Sequence, residues 1–179
     1  MPSLIERLLP QPRVIYDREG GSPYLSRWYI LGRKREADPA LKGQMVDESK
    51  GTRTLPVNLF LHKFHRGDSD AALHSHPWDW AVSLILVAGY SEERRVGDQV
   101  VRRRVRPFTL NFLTADTYHR VDLIDGREAW SLFLVGPKVD SWFFWDRETK
   151  ARCGWREFVL ALRGGPAPRW KRDVREGTD

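Results

Sequence analysis

Between residues 55 and 135 the chain is a succession of short runs, aromatic or β-branched, separated by Gly or Asp turns. No helix of ordinary length fits inside that span, which predicts a sandwich or a barrel of β-strands. In 55–64 the side chains alternate, with Val57, Leu59 and Leu61 on one face and Asn58, Phe60, His62 and Phe64 on the other. The run 82–87 is apolar on both faces, which suits a strand in the middle of such a fold better than an edge. Segments 92–96 and 99–105 form an alternating pair joined by Gly97-Asp98, a hairpin-type turn. Segments 108–113, 117–124 and 129–135 complete the set, the last following the turn Asp125-Gly126.

The flanks are less regular. Ser3 and Glu6 form a capping-box pattern, and Leu4, Ile5, Leu8 and Leu9 recur at helical spacing until Pro10 ends the turn. Strands are expected over 14–17 and 24–31, and a long polar loop over 34–54, read as a mobile loop or a lid. After the barrel come the aromatic run 141–145, expected in the core or a subunit interface, and 154–159, a last strand or a short helix. Residues 164–179 read as a flexible tail. With 179 residues the chain suits a single domain, 1–179. Cys153 is the only cysteine, which excludes an intrachain disulfide and a cysteine-pair zinc finger and points to a reducing compartment. No apolar stretch is long enough for a signal-peptide core or a bilayer span, so a soluble, cytoplasmic protein without membrane contact is expected. The net charge of +6 is interspersed and suits an anionic ligand. No basic stripe alternates with the aromatics, which weighs against nucleic acid.

The chemistry centres on His74-Ser75-His76. In an extended segment the two imidazoles share a face about 6.6 Å apart along the strand and can converge on one ion. His119 shares a face with Val121 and Leu123 on a separate strand and is the candidate third ligand. Three neutral imidazoles leave coordination positions open for water, dioxygen or substrate. Asp79 is the nearest carboxylate: strict alternation sets it on the wrong face, but Pro77 can break the alternation, leaving it as a partner behind the ligands or a reserve ligand. His62, between Phe60 and Phe64, is a candidate acid, base or substrate contact, and otherwise structural. Arg103 shares a face with Val101 and Val105 and would clamp an anion if that face is interior; the alternative is a solvated basic ribbon. Arg27 is a second candidate of the same kind.

With His74-Ser75-His76 in the first motif, Gly89 near its closing glycine and His119 in the second, the sequence resembles the cupin superfamily over roughly 55–135. The resemblance implies a double-stranded β-helix, a jelly-roll barrel with the ion in its mouth, plus a short N-terminal helix and a C-terminal extension. Where the superfamily carries a glutamate this chain has Trp80 or Ala81, and where its second motif has Pro and Gly it has Thr114 and Asp116. The resemblance thus implies a three-His set of the thiol-dioxygenase style, holding a divalent metal ion. Fe(II) is the first choice, with Zn, Mn, Ni or Cu as alternatives. The activity expected is that of a non-heme dioxygenase or hydroxylase acting on a small, anionic organic substrate. A metal-dependent isomerase or lyase and a non-catalytic sensor for a small acid or sugar are the alternatives. The oligomeric state stays open; cupins pair through exposed sheet faces, which makes a homodimer the assembly to test.

Overall fold

The structure is a computed structural model that describes residues 4–16, 21–32, 56–68, 72–147 and 149–162. Helix α1 (Leu4–Leu8) and strands β1 (Arg13–Tyr16) and β2 (Pro23–Leu31) precede the barrel. Its strands are β3 (Asn58–Phe64), β4 (Leu73–His74), β5 (Trp80–Val87), β6 (Tyr90–Val96), β7 (Gln99–Val105), β8 (Leu110–Thr114), β9 (His119–Leu123) and β10 (Ala129–Val135). Strands β11 (Phe143–Trp145) and β12 (Arg152–Gly154) and helix α2 (Trp155–Leu162) follow.

The pairing is nested. Strand β6 pairs with β7, β5 with β8, β4 with β9 and β3 with β10, all antiparallel. This is one long hairpin with its tip at Gly97-Asp98, closed by Val96 opposite Gln99, and wrapped so that successive segments enter different sheets. One sheet runs β1-β2-β3-β10-β5-β8 and the other β12-β11-β4-β9-β6-β7. Eight strands related in this way form a jelly roll.

Alternation decides what fills the space between the sheets. Phe60, Ala81, Leu113, Phe133 and Val135 from the first sheet form one buried cluster with Trp78. Ile85 and Ala129 pack with Tyr90, Val105 and Val121 in a second. The face of β3 carrying Phe60, His62 and Phe64 is the inner one, as its pattern predicts. The 82–87 run does lie in the middle of its sheet, between β10 and β8, but it is not buried on both faces. Its inner half is buried, but Val82, Leu84 and Leu86 on the outer face are only partly so, and Val87 is 48% exposed.

At two glycines the backbone leaves no alternative. Gly97 takes a φ of 60° at the hairpin tip. Gly89, where the chain crosses between sheets, has a φ of 81°, and a Cβ there would stand 2.4 Å from the Val105 carbonyl oxygen.

The expected terminal elements form with shifted ends. The 154–159 segment takes the helical alternative from Trp155 onward, and the strand β12 lies just before it, ending at Gly154. The aromatic run is core. Phe144 and Trp145 are 1% exposed, and Phe144 stacks on Phe158 with centroids 4.1 Å apart. Ser3, the 34–54 loop and the 164–179 tail lie outside the described residues. No helix among the described residues is long and apolar enough to cross a membrane.

Candidate metal centre

Two independent features of the fold bring the histidines together. His74 on β4 lies directly opposite His119 on β9, and facing pairs on antiparallel strands hold their Cβ atoms about 4.5–5.5 Å apart. His76, two residues past His74, returns to the same face. The ring centroids form a near-equilateral triangle: 5.3 Å for His74–His76, 5.0 Å for His74–His119 and 5.1 Å for His76–His119. One nitrogen from each ring lies within 4.8 Å of the other two.

The carboxylate behind this triangle is Glu92, on the inward face of β6. It is completely buried, and its Oε1 lies 2.7 Å from Nδ1 of His119. Burial alone would raise its pKa, but hydrogen bonding and charge from His119, a bond from Asn111 and the Arg94 guanidinium outweigh it and hold the carboxyl well below the usual range. Glu92 is therefore ionised and accepts from Nδ1 of His119; in the neutral form of that imidazole the lone pair is then on Nε2, which faces His76. Nε2 of His76 is 2.9 Å away. That is hydrogen-bond distance, close enough for both nitrogens to reach one ion. Burial, and after it the charges of His119 and Arg27, lowers the pKa of His76 well below the ordinary value, which favours the neutral, ligating form. Its Nδ1 is buried with no hydrogen-bond partner. His74 has Asp68 behind it, with Oδ2 3.8 Å from Nδ1. Asp68 is itself fixed by the backbone N–H of Val121, which donates to Oδ2 at 2.7 Å. The donor set and its supports fit a divalent cation.

The remaining candidates fall differently. Asp79 is exposed and does not line the cavity; its backbone N–H bonds the Pro137 carbonyl, and Pro77 does not turn the side chain inward. It leaves the candidate set, and Asp68 and Glu92 stand where a supporting carboxylate was sought. Arg103 does share the inner side of β7 with buried Val105, but it is spent on Glu92, to whose Oε2 its Nε donates at 2.6 Å, and on Asn111. It braces the site from its solvent end, with the side chain 44% exposed, and does not line the cavity. His62 does line it. Burial, then the Arg27 charge, lowers its pKa well below the ordinary value, and its Nε2 accepts from Nε of Arg27 at 2.9 Å. His65 is half-buried between Ser26 and Glu128, outside the cavity lining.

Between the two sheets lies a cavity of about 120 Å³. The three histidines and Asp68 form one wall; Arg27, His62 and Ser131 belong to the other, with Phe64, Leu113 and Phe133 among the apolar residues between. Glu92 is the chief residue the sequence reading missed, although its signal was present. Counting back from the Gly97-Asp98 turn sets Glu92 opposite Arg103, so the argument for an inward Arg103 carried Glu92 inward with it.

No protein-family model matches the sequence, and no curated protein does. Solved structures do. A cupin-2 domain protein of Rhodospirillum rubrum is 14% identical, with a TM-score of 0.43 over 84% of this chain and 78% of that one. Hydroxypropylphosphonic acid epoxidase of S. wedmorenis is 9% identical, with a TM-score of 0.44 over 72% of this chain and 58% of that one. A recombinant oxalate oxidase in complex with glycolate is 14% identical, with a TM-score of 0.41 over 49% of this chain and 45% of that one. The match thus spans about half the length of several of these proteins, 51% for a DMSP lyase structure. It is the nested pairing of the eight strands that settles the architecture: the chain is a jelly roll, a double-stranded β-helix with three histidines gathered inside it.

Proposed function

We propose that the protein is a mononuclear metal-dependent enzyme in which His74, His76 and His119 hold a divalent ion, with Fe(II) the first choice, and that it oxygenates a small anionic organic molecule. The observation that carries the reading is the convergence of three imidazoles with a buried, ionised carboxylate fixing the tautomer of one of them. Bound there, such an ion supplies Lewis-acid and, for iron, oxygen-activating chemistry at positions that three protein ligands leave open.

The chain's own residues do the rest. Glu92 orients His119 by accepting from its Nδ1, and the Asp68 carboxylate stands 3.8 Å from Nδ1 of His74. Phe133 packs against both His62 and His76, with centroids 5.1 and 5.9 Å away, and with Leu113 and Phe64 keeps the space between the walls apolar. A small, dry site strengthens every charge interaction made in it. The test is metal analysis of freshly purified wild type beside His76→Ala, then anaerobic loading with Fe(II) and oxygen uptake on a panel of small acids. Near-stoichiometric metal in wild type, its loss in the variant and acid-dependent uptake are expected. Equal metal in both proteins would overturn the ligand assignment. Acid binding without turnover would make the protein a sensor.

A further inference from the structure

The wall opposite the histidines is a row of polar side chains running across three strands. Arg27 on β2 is the cross-strand neighbour of His62 on β3, and His62 is the cross-strand neighbour of Ser131 on β10. All three line the cavity and are nearly inaccessible, at 5%, 3% and 1% exposure. They stand among the apolar inward side chains Phe60, Phe64, Leu113 and Phe133 of the same sheet, with Ser83 a further polar side chain lining the cavity.

Each member has a definite state. The Arg27 guanidinium carries a permanent charge, lies 4.7 Å from the centroid of Phe60 and donates through Nε to His62. His62, as the acceptor, is neutral with its proton on Nδ1, and it holds the guanidinium in one orientation. The Ser131 hydroxyl is buried and has no hydrogen-bond partner. A buried hydroxyl left unpaired is costly, and in a cavity wall it marks a group that a ligand satisfies.

We infer that Arg27 and Ser131 form a subsite for the carboxylate of a small monocarboxylic acid, with His62 as the residue that positions Arg27. The orientation follows from charge. In the metal-free protein Asp68 lies beside His74 on the histidine wall while the Arg27 guanidinium stands on the other, so an anionic group is drawn to the Arg27 wall. The apolar body of the acid then lies along Phe133, Leu113 and Phe64, and its far end meets the histidines. Size follows from volume: a cavity of 150 Å³ takes up benzene, and this one of about 120 Å³ admits a comparably small body. The row holds one cation, which matches a monoanion and leaves half the charge of a phosphate dianion unmatched.

That the far end is the reacting end rests on the proposed metal reading; the subsite itself does not. The test therefore measures binding rather than turnover. Propionate, benzoate, the corresponding amides and inorganic phosphate are titrated by calorimetry into the metal-free and the Fe(II)-loaded anaerobic protein. At least one of the carboxylates is expected to bind both forms, its amide at least tenfold more weakly. Arg27→Lys, which keeps the charge but not the fork, is expected to weaken that carboxylate about tenfold, and Ser131→Ala by a similar factor. Amide binding should change little in either variant, which separates loss of the subsite from loss of the fold. Carboxylate binding that survives both substitutions, phosphate binding as tight as the carboxylate, or no carboxylate binding to either form overturns the assignment. Carboxylate binding in a protein that fails to retain metal would sink the metal reading and leave the subsite standing.

Discussion

Removing the carboxylate of Glu92 is the sharpest test of how the site is held. Glu92→Ala deletes a fully buried anion that accepts from His119, Arg94, Arg103 and Asn111. Breaking a buried ion pair from one side costs about 3–5 kcal/mol. The side chains of Arg94 and Arg103 are 22% and 44% exposed and can rehydrate, which places the loss near the lower end, about 3 kcal/mol. For a chain of this length that corresponds to a fall in Tm of roughly 6–12 °C. Glu92→Gln keeps an acceptor for His119 and loses only the charge, at about 1–2 kcal/mol. The internal control is Glu93→Gln. Glu93 is next in sequence on the opposite face, where it pairs with Arg120 and Arg147 near the surface, and its loss is expected to cost less than about 1 kcal/mol. Urea unfolding of the metal-free proteins by tryptophan fluorescence ranks the three without reference to any ion. Metal competition on the same proteins should then show affinity reduced about 10–100-fold in Glu92→Gln and unchanged in Glu93→Gln. A Glu92→Ala protein as stable as Glu93→Gln would refute the account of the buried carboxylate.

Other outcomes follow from the same structure. Gly97→Ala meets open space and only a positive φ, so it should cost about 1 kcal/mol in chemical denaturation, while Gly89→Ala also drives a Cβ into the Val105 carbonyl and should cost several times more. Equal costs would mean that the strand crossing at Gly89 is not as tight as described. Burial pulls the pKa of Lys63 down, but its hydrogen bonds to Glu6 and Glu128 outweigh this and raise it; the Glu128 carboxyl is lowered, burial opposing and Lys63 and His65 prevailing. The stabilisation from Lys63 is therefore complete below about pH 10.4 and lost as pH rises through its raised pKa; that from Glu128 is present above about pH 4.3 and lost as pH falls through its lowered one. Lys63→Met should accordingly lower Tm most between about pH 5 and 10, with the difference from wild type closing at both ends. A pH-independent difference would show that Lys63 acts through packing alone.

The strand content and the histidine triad were legible because period-two alternation is a local signal and both rest on it. The nesting of the strands was half legible: Gly97-Asp98 marks the tip, and each pairing follows by counting outward, but bulges such as that between Trp130 and Ser131 break the count. Asp79 was kept only by supposing that Pro77 breaks the alternation; the alternation holds, with Trp78 inward and Asp79 exposed. Asp68 was invisible for another reason. It lies in an irregular turn, and only its bonds to β9 carry it to His74. Outward positions were the hardest to read, since the apolar side chains on both faces of β5 predict complete burial although one face is only half covered.

The cavity is built by two parties. The imidazoles come from the β4–β9 side and the Arg27 row from β2, β3 and β10, so no strand contributes to both. On the proposed reading, selectivity and reactivity are thereby mounted on separate panels of the barrel. A laboratory seeking new acceptors for this scaffold can randomise inward positions on the first panel, knowing that the backbone which sets the donor triangle belongs to the second.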